Sequence, residues 1–282
     1  MKVRLNQLNR TILRALLKVA AFADKQEIQI YLVGGAVRDL ILSKATSDID
    51  LVLEGDAIAF GRKLCRELGG DLIAHTDFKT ATLDLKDGPR IDLVTARSES
   101  YARPGALPKV KSADLKTDAL RRDFTINSLA LSINMGSHFC EVVDHTGGLE
   151  DLQAGRVRVM HEQSFMDDPT RIFRAVRYEQ RHGFRIERST LRLIKEALAR
   201  DVFASISGQR YLNEMLKIFE EATVVAALKR LRGLGVLDFM CPKFRVDFKL
   251  IAGVQKNIAF RIYPGNWERI SVHGLWWLVL LG

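Results

Sequence analysis

The sequence predicts a mixed α/β domain in roughly the first 150 residues and an all-helical remainder. In the first half, β-rich runs alternate with helix-like segments; the runs span residues 28–33, 49–53, 80–85, 90–94 and 129–133. After about residue 150, helical periodicity dominates, over residues 168–180, 188–200 and 209–221. We therefore expect an α/β domain over 1–150, a helical segment over 151–225 and the start of a second helical segment over 226–282.

The N-terminal region contains the first recognisable series of elements. Residues 7–24 have apolar positions at helical spacing, and the β-rich run Ile28–Val33 ends in Gly34 and Gly35. A further helix is predicted over Asp56–Leu68. After the helical run, the implied order is therefore strand, glycine turn and helix.

Composition and charge narrow the class of protein. Lys and Arg outnumber Asp and Glu by 43 to 34, and the resulting net charge of +9 suits a polyanionic partner. The three cysteines lie far apart and the six histidines form no metal-binding spacing, so we expect no zinc site and a reducing, cytoplasmic location. The longest apolar run, Leu275–Leu281, is too short to span a bilayer, and we expect no membrane partner.

The turn after the first strand is a candidate phosphate site. Gly34 and Gly35 let the backbone approach a phosphate, whose charge the amides at the next helix N-terminus meet. Arg38, in the first turn of that helix, offers a guanidinium to the same phosphates. A plain tight turn is the alternative.

Three aspartates are candidate metal ligands. Asp48 and Asp50 flank Ile49 in a predicted strand, so the two carboxylates project to one face while Ile49 enters the core. Adjacent carboxylates repel each other unless a cation neutralises them, which favours Mg²⁺. Asp92, which alternates with apolar neighbours on another strand, is a candidate third carboxylate. The alternative is a solvated edge with acidic residues.

A second polar cluster combines guanidinium, carboxylate and amide groups. Arg121, Arg122, Asp123 and Asn127 lie within seven residues and together offer hydrogen bonds to phosphate oxygens and ribose hydroxyls. A surface salt-bridge cluster is the alternative interpretation.

A helix with one polar face is predicted in the second half. Asp168 before Pro169 is typical of a helix start, with Asp168 as N-cap. Arg171, Arg174 and Tyr178 then share one face of the helix. A carboxylate and guanidiniums in one strip are suited to hydrogen-bonding the edge of a nucleotide base. A basic face in contact with RNA backbone or water is the alternative.

In their order and spacing, these segments resemble the tRNA nucleotidyltransferases that include CCA-adding, CC-adding and A-adding enzymes and bacterial poly(A) polymerases. LVGGAVRD with the downstream DID is similar to the family's catalytic motif, and RRDFTINSLA to its ribose-recognition motif. DHTGGLEDL resembles the family's head-to-neck hinge, and DDPTRIFRAVRY its base-reading motif. The resemblance covers about residues 28–221.

The resemblance implies a polymerase-beta-like nucleotidyltransferase head with a mixed sheet, followed by an all-α neck and body. It implies that Asp48 and Asp50 bind Mg²⁺ and that Gly35 and Arg38 bind the triphosphate. The residues implied to bind sugar and phosphates are Arg121, Arg122, Asp123 and Asn127, and those implied to select the base are Asp168, Arg171 and Arg174. ATP and CTP are the implied substrates, and a tRNA 3′ end is the implied acceptor.

The chain departs from the family pattern at several positions. Asp167 stands where Glu is usual, Ser43 where Gly is usual, and Gln209 where Glu is usual. We expect an incomplete body and no tail, and the stretch Tyr101–Pro108 resembles A-adding and multidomain members. Two alternatives stay open, a poly(A) polymerase that acts on general RNA 3′ ends and a non-catalytic RNA-binding remnant. The sequence does not specify the oligomeric state.

Overall fold

The computed structural model describes residues 1–86, 88–101, 108–240, 248–249 and 251–253. Unit 1 contains the described residues up to Ala154 together with Arg158–His161, and unit 2 contains Gly155–Val157 and the described residues from Glu162 onwards. The predicted boundaries at residues 150 and 225 stay predictions. Most of the stretch Tyr101–Pro108, and all of the apolar run Leu275–Leu281, lie outside the described residues.

A seven-stranded mixed sheet is the scaffold of unit 1. Its described strands are β1 (Ile30–Val33), β2 (Asp50–Leu53), β3 (Gly70–His75), β4 (Thr80–Leu85), β5 (Arg90–Thr95), β6 (Arg97–Ser100), β7 (Lys109–Ser112), β8 (Ala130–Ser132) and β9 (Val142–Val143). The order in the sheet is β3-β4-β5-β2-β1-β8-β9, while β6 and β7 pair separately. β2 and β5 are parallel, and the other neighbours in the large sheet are antiparallel.

Helices connect and cover these strands. The α-helices of unit 1 are α1 (Arg10–Lys25), α2 (Gly35–Ile41), α3 (Ala57–Leu68), α4 (Leu115–Leu120) and α5 (Gly148–Gln153), and two 3₁₀ turns span Thr76–Phe78 and Thr125–Asn127. α1 begins after Asn9, whose side chain accepts a 2.8 Å hydrogen bond from the amide of Ile12. Asp56 caps α3 in the same way. The predicted mixed α/β class of the first half is confirmed.

Helices α1 and α3 pack side by side on one face of the sheet. A Cβ at Gly61 of α3 would lie 2.7 Å from Leu72 Cδ1 and 3.0 Å from Leu93 Cδ1, so the helix packs closely on these two leucines at its glycine. The rings of Phe22 in α1 and Phe60 in α3 meet edge to face with centroids 5.4 Å apart. These helices therefore cover the face of the sheet on which Leu72 and Leu93 lie.

The N-terminal residues close one edge of the sheet. The amide of Val142 donates to the carbonyl oxygen of Met1 at 2.9 Å, and the amide of Val3 donates to that of Cys140 at 2.9 Å. Lys2 and Glu141 form an antiparallel bridge between these bonds. The backbone groups beside β9 are therefore paired within the chain.

Unit 2 is mainly helical. Its α-helices are α6 (Ser164–Asp167), α7 (Arg171–His182), α8 (Arg188–Ala199), α9 (Gly208–Phe219), α10 (Val224–Gly233) and α11 (Val236–Met240), with a 3₁₀ turn at Val202–Ser205. Two short parallel strands, β10 (Arg156–Val157) and β11 (Arg185–Ile186), join within it. The predicted helical character of the second half is confirmed. Within the described residues, none of the helices has the length and apolar character that a membrane crossing requires.

One local prediction was wrong, and the edge strand β3 was missed. Helix α7 begins at Arg171 with Thr170 as N-cap, two residues after the predicted first residue Pro169. The carboxylate of Asp168 instead accepts from the amide of Thr170 at 3.0 Å, so it closes a turn ahead of the helix. Strand β3 was not predicted. It lies at the edge of the sheet, where its residues alternate between half-buried and exposed, so its sequence lacks a clear apolar face.

The C-terminus of α2 explains why Ser43 is an unfavourable residue there. Ser43 has a φ of +56°, and its amide donates to the carbonyl of Leu40 at 3.1 Å while that of Lys44 donates to Asp39 at 2.8 Å. This bonding pattern ends helices at a left-handed residue, which is usually glycine. A left-handed conformation costs a non-glycine residue about 1 kcal/mol.

We expect Ser43→Gly to raise the free energy of unfolding by about 0.5–1 kcal/mol, because glycine adopts positive φ without steric cost. The melting temperature should rise by roughly 1–4 °C, measured by thermal unfolding followed by circular dichroism. Ser47→Gly, at an exposed position outside the positive-φ residues, is the control and should give no gain. An equal rise in both variants would contradict the explanation.

Candidate active site

Three aspartates meet at the start of β2. Asp50 is the first residue of β2, and its Cα pairs in register with Asp92 of the parallel strand β5. Neighbouring strands lie about 4.8 Å apart, and paired residues project to the same face. Asp48 is exposed just before the strand, while Ile49 between the two acids is buried. The alternation that the sequence indicated is therefore present.

The electrostatics of Asp50 reflect this crowding. Burial raises the pKa of the Asp50 carboxyl, the negative charges of Asp92 and Asp48 raise it further, and the guanidinium of Arg122 opposes them. The hydroxyl of Thr82 on β4 donates to Asp92 Oδ1 at 2.6 Å. The three carboxylates interact with one another, so a cation among them would relieve their repulsion.

The donors fit a hard divalent cation that also takes oxygen ligands from a substrate. Within the described ranges, no three or more His, Cys, Asp or Glu side chains are arranged to hold an ion. Mg²⁺, however, is usually held by one or two carboxylates together with phosphate oxygens and water. Asp50 with either neighbouring aspartate matches that pattern. The assignment of Asp48 and Asp50 as metal ligands, with Asp92 as a third catalytic carboxylate, stays a prediction.

The glycine turn lies directly against this cluster. Gly34 has φ +72° and ψ −139°, a conformation that side-chain-bearing residues rarely adopt. A Cβ at this position would lie 3.5 Å from Arg122 Nη1 and 3.8 Å from Asp50 Oδ2. The backbone therefore leaves space between a guanidinium and a carboxylate, where the sequence predicts a triphosphate.

Arg38 is buried and links two segments of unit 1 by hydrogen bonds. Only 2% of Arg38 is exposed, and its Nε and Nη2 donate to the Asp39 carboxylate at 2.9 and 3.1 Å. Its Nη1 donates to Asn127 Oδ1 at 2.6 Å, and Asn127 Nδ2 donates to Asp123 Oδ1 at 3.1 Å. Arg38 thus joins α2 to the 3₁₀ turn that contains Asn127. The predicted phosphate contacts of Gly35, Arg38, Asp123 and Asn127 stay predictions.

Arg121 and Arg122 share one buried carboxylate, that of Asp118, which the sequence analysis missed. Asp118 Oδ1 accepts from Arg121 Nε at 2.9 Å, and Asp118 Oδ2 accepts from Arg122 Nη2 at 3.0 Å. Glu99 holds the other end of Arg121, through Nη1 at 2.8 Å. The predicted alternative of a salt-bridge cluster is therefore present, but it is largely buried. The proposed roles of the two arginines in nucleotide binding stay predictions.

The charge state of Asp118 follows from these partners. Burial opposes its ionisation, but the guanidiniums of Arg122 and Arg121 more than offset burial, so the pKa of Asp118 lies below its usual range. The amide of Arg97 adds a 3.2 Å hydrogen bond to Oδ1. Asp118 lies on α4, three and four residues before the two arginines that follow the helix, and this spacing is the local signal that indicates the pairing.

In unit 2, Asp168 is held by a partner that is distant in sequence. Arg210 Nη2 on α9 lies 2.8 Å from Asp168 Oδ1, and both side chains are partly exposed. The hydroxyl of Thr170 donates to the same oxygen at 2.6 Å. Arg210 lies beside Gln209, in the segment where the sequence analysis noted a departure from the family pattern. The structure thus assigns that segment a contact with a predicted base-reading residue.

The two predicted base-reading arginines have different surroundings. Arg171 is 5% exposed, and its Nη1 donates to Ser164 Oγ at 2.7 Å. Arg174 is half-buried, with Nη2 3.1 Å from the hydroxyl of Tyr178 and its guanidinium 5.6 Å from the centre of that ring. Packing therefore fixes the orientation of both side chains. Their role in base recognition stays a prediction.

The chain matches two family models. The model described as the poly A polymerase head domain matches residues 30–158. The model described as a probable RNA and SrmB-binding site of polymerase A matches residues 183–247. Together the matches include every predicted site residue except Asp168, Arg171 and Arg174.

Individual relatives agree with these matches. The A-adding tRNA nucleotidyltransferase of Geobacter sulfurreducens is 44% identical over 219 residues, which cover 78% of this chain and 25% of that protein. The A-adding enzyme of Halalkalibacterium halodurans is 38% identical over 226 residues, covering 79% and 53%. A tRNA nucleotidyltransferase solved with a primer tRNA and an incoming ATP analogue has a TM-score of 0.78 and 32% identity, covering 94% of this chain and 75% of that one. The chain thus spans a quarter to about half of the two curated relatives.

We expect Asp118→Asn to lower the free energy of unfolding at pH 7 by about 3 kcal/mol, because it removes the buried carboxylate that partners two guanidiniums. The folded pKa of Asp118 is lowered, so its stabilisation is present above the unfolded pKa of about 3.9 and is lost as pH falls through the folded value. Urea unfolding at pH 7 and pH 3 measures both effects.

The difference between wild type and Asp118→Asn should therefore be largest at pH 7 and smaller at pH 3. Lys116→Gln, an exposed substitution on the same helix, should change stability by less than about 0.5 kcal/mol. Equal stability of wild type and Asp118→Asn at pH 7 would contradict the structural role of the carboxylate.

Proposed function

This chain belongs to the poly(A) polymerase head-domain family of nucleotidyltransferases, and from that membership we propose that it adds C and/or A nucleotides to the 3′ end of a tRNA. ATP and CTP are the proposed substrates, and pyrophosphate is the leaving group. The names of the two curated relatives favour addition of A to a tRNA that already ends in CC.

The alignment of Asp50 with Asp92 beside the Gly34 turn carries this proposal. Carboxylates crowded on one face supply the negative charge that a metal-assisted phosphoryl transfer requires, and the turn leaves room for a phosphate next to them. A cluster with only a structural role would gain stability from a neutral side chain at Asp50, since burial and like charges already raise its pKa. The arrangement is therefore costly unless a cation binds.

We propose that Asp48 and Asp50 hold Mg²⁺, with Asp92 next to them. When bound, the ion supplies positive charge that favours the attacking 3′-hydroxylate and the leaving pyrophosphate. Asp50 also fixes the position of that charge, because it is the first residue of a sheet strand. Asp92 is fixed in turn by the hydroxyl of Thr82.

The nucleotide itself is proposed to lie along the glycine turn. Gly34 and Gly35 allow the backbone to approach the triphosphate, and the guanidinium of Arg122 faces the same space. Asp118 orients Arg122, whereas Arg38 and Asn127 hold the turn in place. Arg121 and Asp123 complete the proposed sugar and phosphate contacts.

Base selection is proposed for unit 2. Asp168 offers acceptors and Arg171 and Arg174 offer donors, which is the combination that the hydrogen-bonding edge of a base requires. The contacts to Arg210, Ser164 and Tyr178 restrict the rotamers of these side chains. Selection by fixed side chains needs no template strand.

The cytoplasm is the proposed setting. Cys65 and Cys140, both within the described part of the chain, are free thiols. Free thiols are typical of a reducing compartment. The proposed macromolecular partner is tRNA, whose 3′ end the enzyme would extend.

The experiment that tests this function measures incorporation of labelled ATP and CTP, with Mg²⁺, into tRNAs that end at the discriminator base, at CC and at CCA. Incorporation of A confined to the CC-ending tRNA would identify an A-adding enzyme. Addition of CCA to the shortest tRNA would identify a full CCA-adding enzyme. An unstructured RNA primer, extended as well as tRNA, would instead identify a poly(A) polymerase. Binding of tRNA without incorporation would favour a non-catalytic RNA-binding protein.

We expect Asp50→Asn to lower the incorporation rate by about 1,000-fold, because the neutral amide no longer holds the cation. The variant should be at least as thermally stable as wild type, since it removes a charge that the folded state disfavours. Asp84→Asn, an exposed change on strand β4, is the matched control and should retain activity. Normal incorporation by Asp50→Asn would remove the proposed metal role.

We expect Arg210→Gln to lower the preference for the correct nucleotide about tenfold, because Asp168 loses its charged partner and keeps only its local hydrogen bonds to Thr170. Competition between ATP and the other nucleoside triphosphates, with one tRNA acceptor, measures that preference. Arg188→Gln, a loss of the same charge at the start of α8, should leave it unchanged. Unaltered selectivity in Arg210→Gln would show that Asp168 does not need this partner.

A further inference from the structure

Helix α1 carries a row of cations that the proposed reaction does not use. Arg10, Arg14 and Lys18 are exposed at positions i, i+4 and i+8 of the helix. With a rise of about 1.5 Å per residue, they are spaced about 6 Å apart along one side. None of the three has an ion-pair partner among the residues that the structure describes.

Helix α3, which packs beside α1, carries two more exposed cations. Arg62 and Arg66 are exposed on α3, and they too have no ion pair within the described ranges. The nearby acidic groups are already engaged. Glu67 lies 3.5 Å from Lys25 Nζ, and Asp24 accepts from Asn134 Nδ2 at 2.9 Å. We call the exposed set Arg10, Arg14, Lys18, Arg62 and Arg66 the rear basic surface.

The rear basic surface lies on the opposite side of the sheet from the carboxylates. Successive residues of a strand point to opposite faces. Leu93 of β5 faces Gly61 of α3, so its neighbour Asp92 and the register partner Asp50 point to the other face. Because α1 and α3 pack side by side, their cations are separated from the proposed catalytic site by the thickness of the sheet.

A cleft lies beside the row of cations. Its volume is about 240 Å³, and Arg14 and Lys18 of α1 line it together with Leu68, Leu85 and Gly88. Two cationic side chains at the rim of one cleft suit a phosphate group. The cleft therefore offers a recessed binding position next to the exposed cations of α1.

We propose that the rear basic surface binds the phosphate backbone of RNA at a segment away from the 3′ end that is extended. A row of regularly spaced cations over more than two helical turns complements a linear polyanion better than a compact anion. The choice of RNA as that polyanion rests on the proposed function, in which a long acceptor must be held while only its end reacts. The contact is independent of sequence, because phosphates carry no base information.

The test compares wild type with the triple variant Arg10→Gln, Arg14→Gln and Lys18→Gln. Binding of a fluorescently labelled tRNA transcript is followed by anisotropy over a series of KCl concentrations, without nucleotide or Mg²⁺. Each lost phosphate contact should lower the slope of log K against log salt by about 0.7–0.9. We therefore expect the triple variant to lose about two units of slope and to bind at least tenfold more weakly at low salt.

Two controls make this result specific. Lys2→Gln, Lys111→Gln and Lys116→Gln together remove the same charge from exposed positions that do not form a row. This variant should keep the wild-type slope within about 0.5. Arg10→Lys with Arg14→Lys keeps the charge and should also retain the slope, which separates loss of charge from disturbance of the fold.

An unchanged slope in the triple variant of α1 would overturn the proposal. An equal loss of slope in the control variant Lys2→Gln, Lys111→Gln and Lys116→Gln would also overturn it. If the same substitutions abolished binding of labelled polyglutamate but left the tRNA slope unaffected, the surface would bind an acidic polypeptide, and this result would also overturn the proposal. The assay measures binding alone. A chain that fails to incorporate nucleotides but shows the expected slope change would contradict the proposed reaction and leave the RNA contact standing.

Discussion

The parallel pairing of β2 with β5 is the constraint on which the proposed site depends, since it sets Asp50 level with Asp92. A shift of one residue in this register would turn the carboxylates toward the core and the apolar residues toward solvent. The strands on either side contribute the remaining parts. β4 brings Thr82 to Asp92, and β1 ends at the turn of Gly34. One register thus collects groups that are separated in the chain.

Charged side chains around this centre are held before any ligand arrives. Buried ions are costly unless they are paired and hydrogen-bonded, and the buried charges of Asp118 and Arg38 both have such partners. Asp118 satisfies two arginines, and Arg38 is satisfied by Asp39 and Asn127. A nucleotide would therefore meet side chains whose rotamers are already fixed, which lowers the entropy lost on binding.

The sequence predicted those parts of the site that depend on local pattern. The order strand, glycine turn, helix and the alternation around Ile49 follow from residue spacing alone, and both are present. Contacts between distant segments have no such signature. Arg210 meets Asp168 across 42 residues, and Glu99 meets Arg121 across 22. Asp118 had a local signature, but a polar residue in a short helix is ordinarily interpreted as solvent-facing.

The order of strands also determines when unit 1 can fold during synthesis. The central strand β1 has β8 as one neighbour, with Tyr31 opposite Ser132, and the N-terminal residues pair beside β9. One side of β1 therefore stays unpaired until about 100 more residues have been made. At about 5–20 residues per second, that interval lasts roughly 5–20 s. During it the nascent chain exposes an apolar strand edge, which is the state in which chaperone capture or aggregation competes with folding.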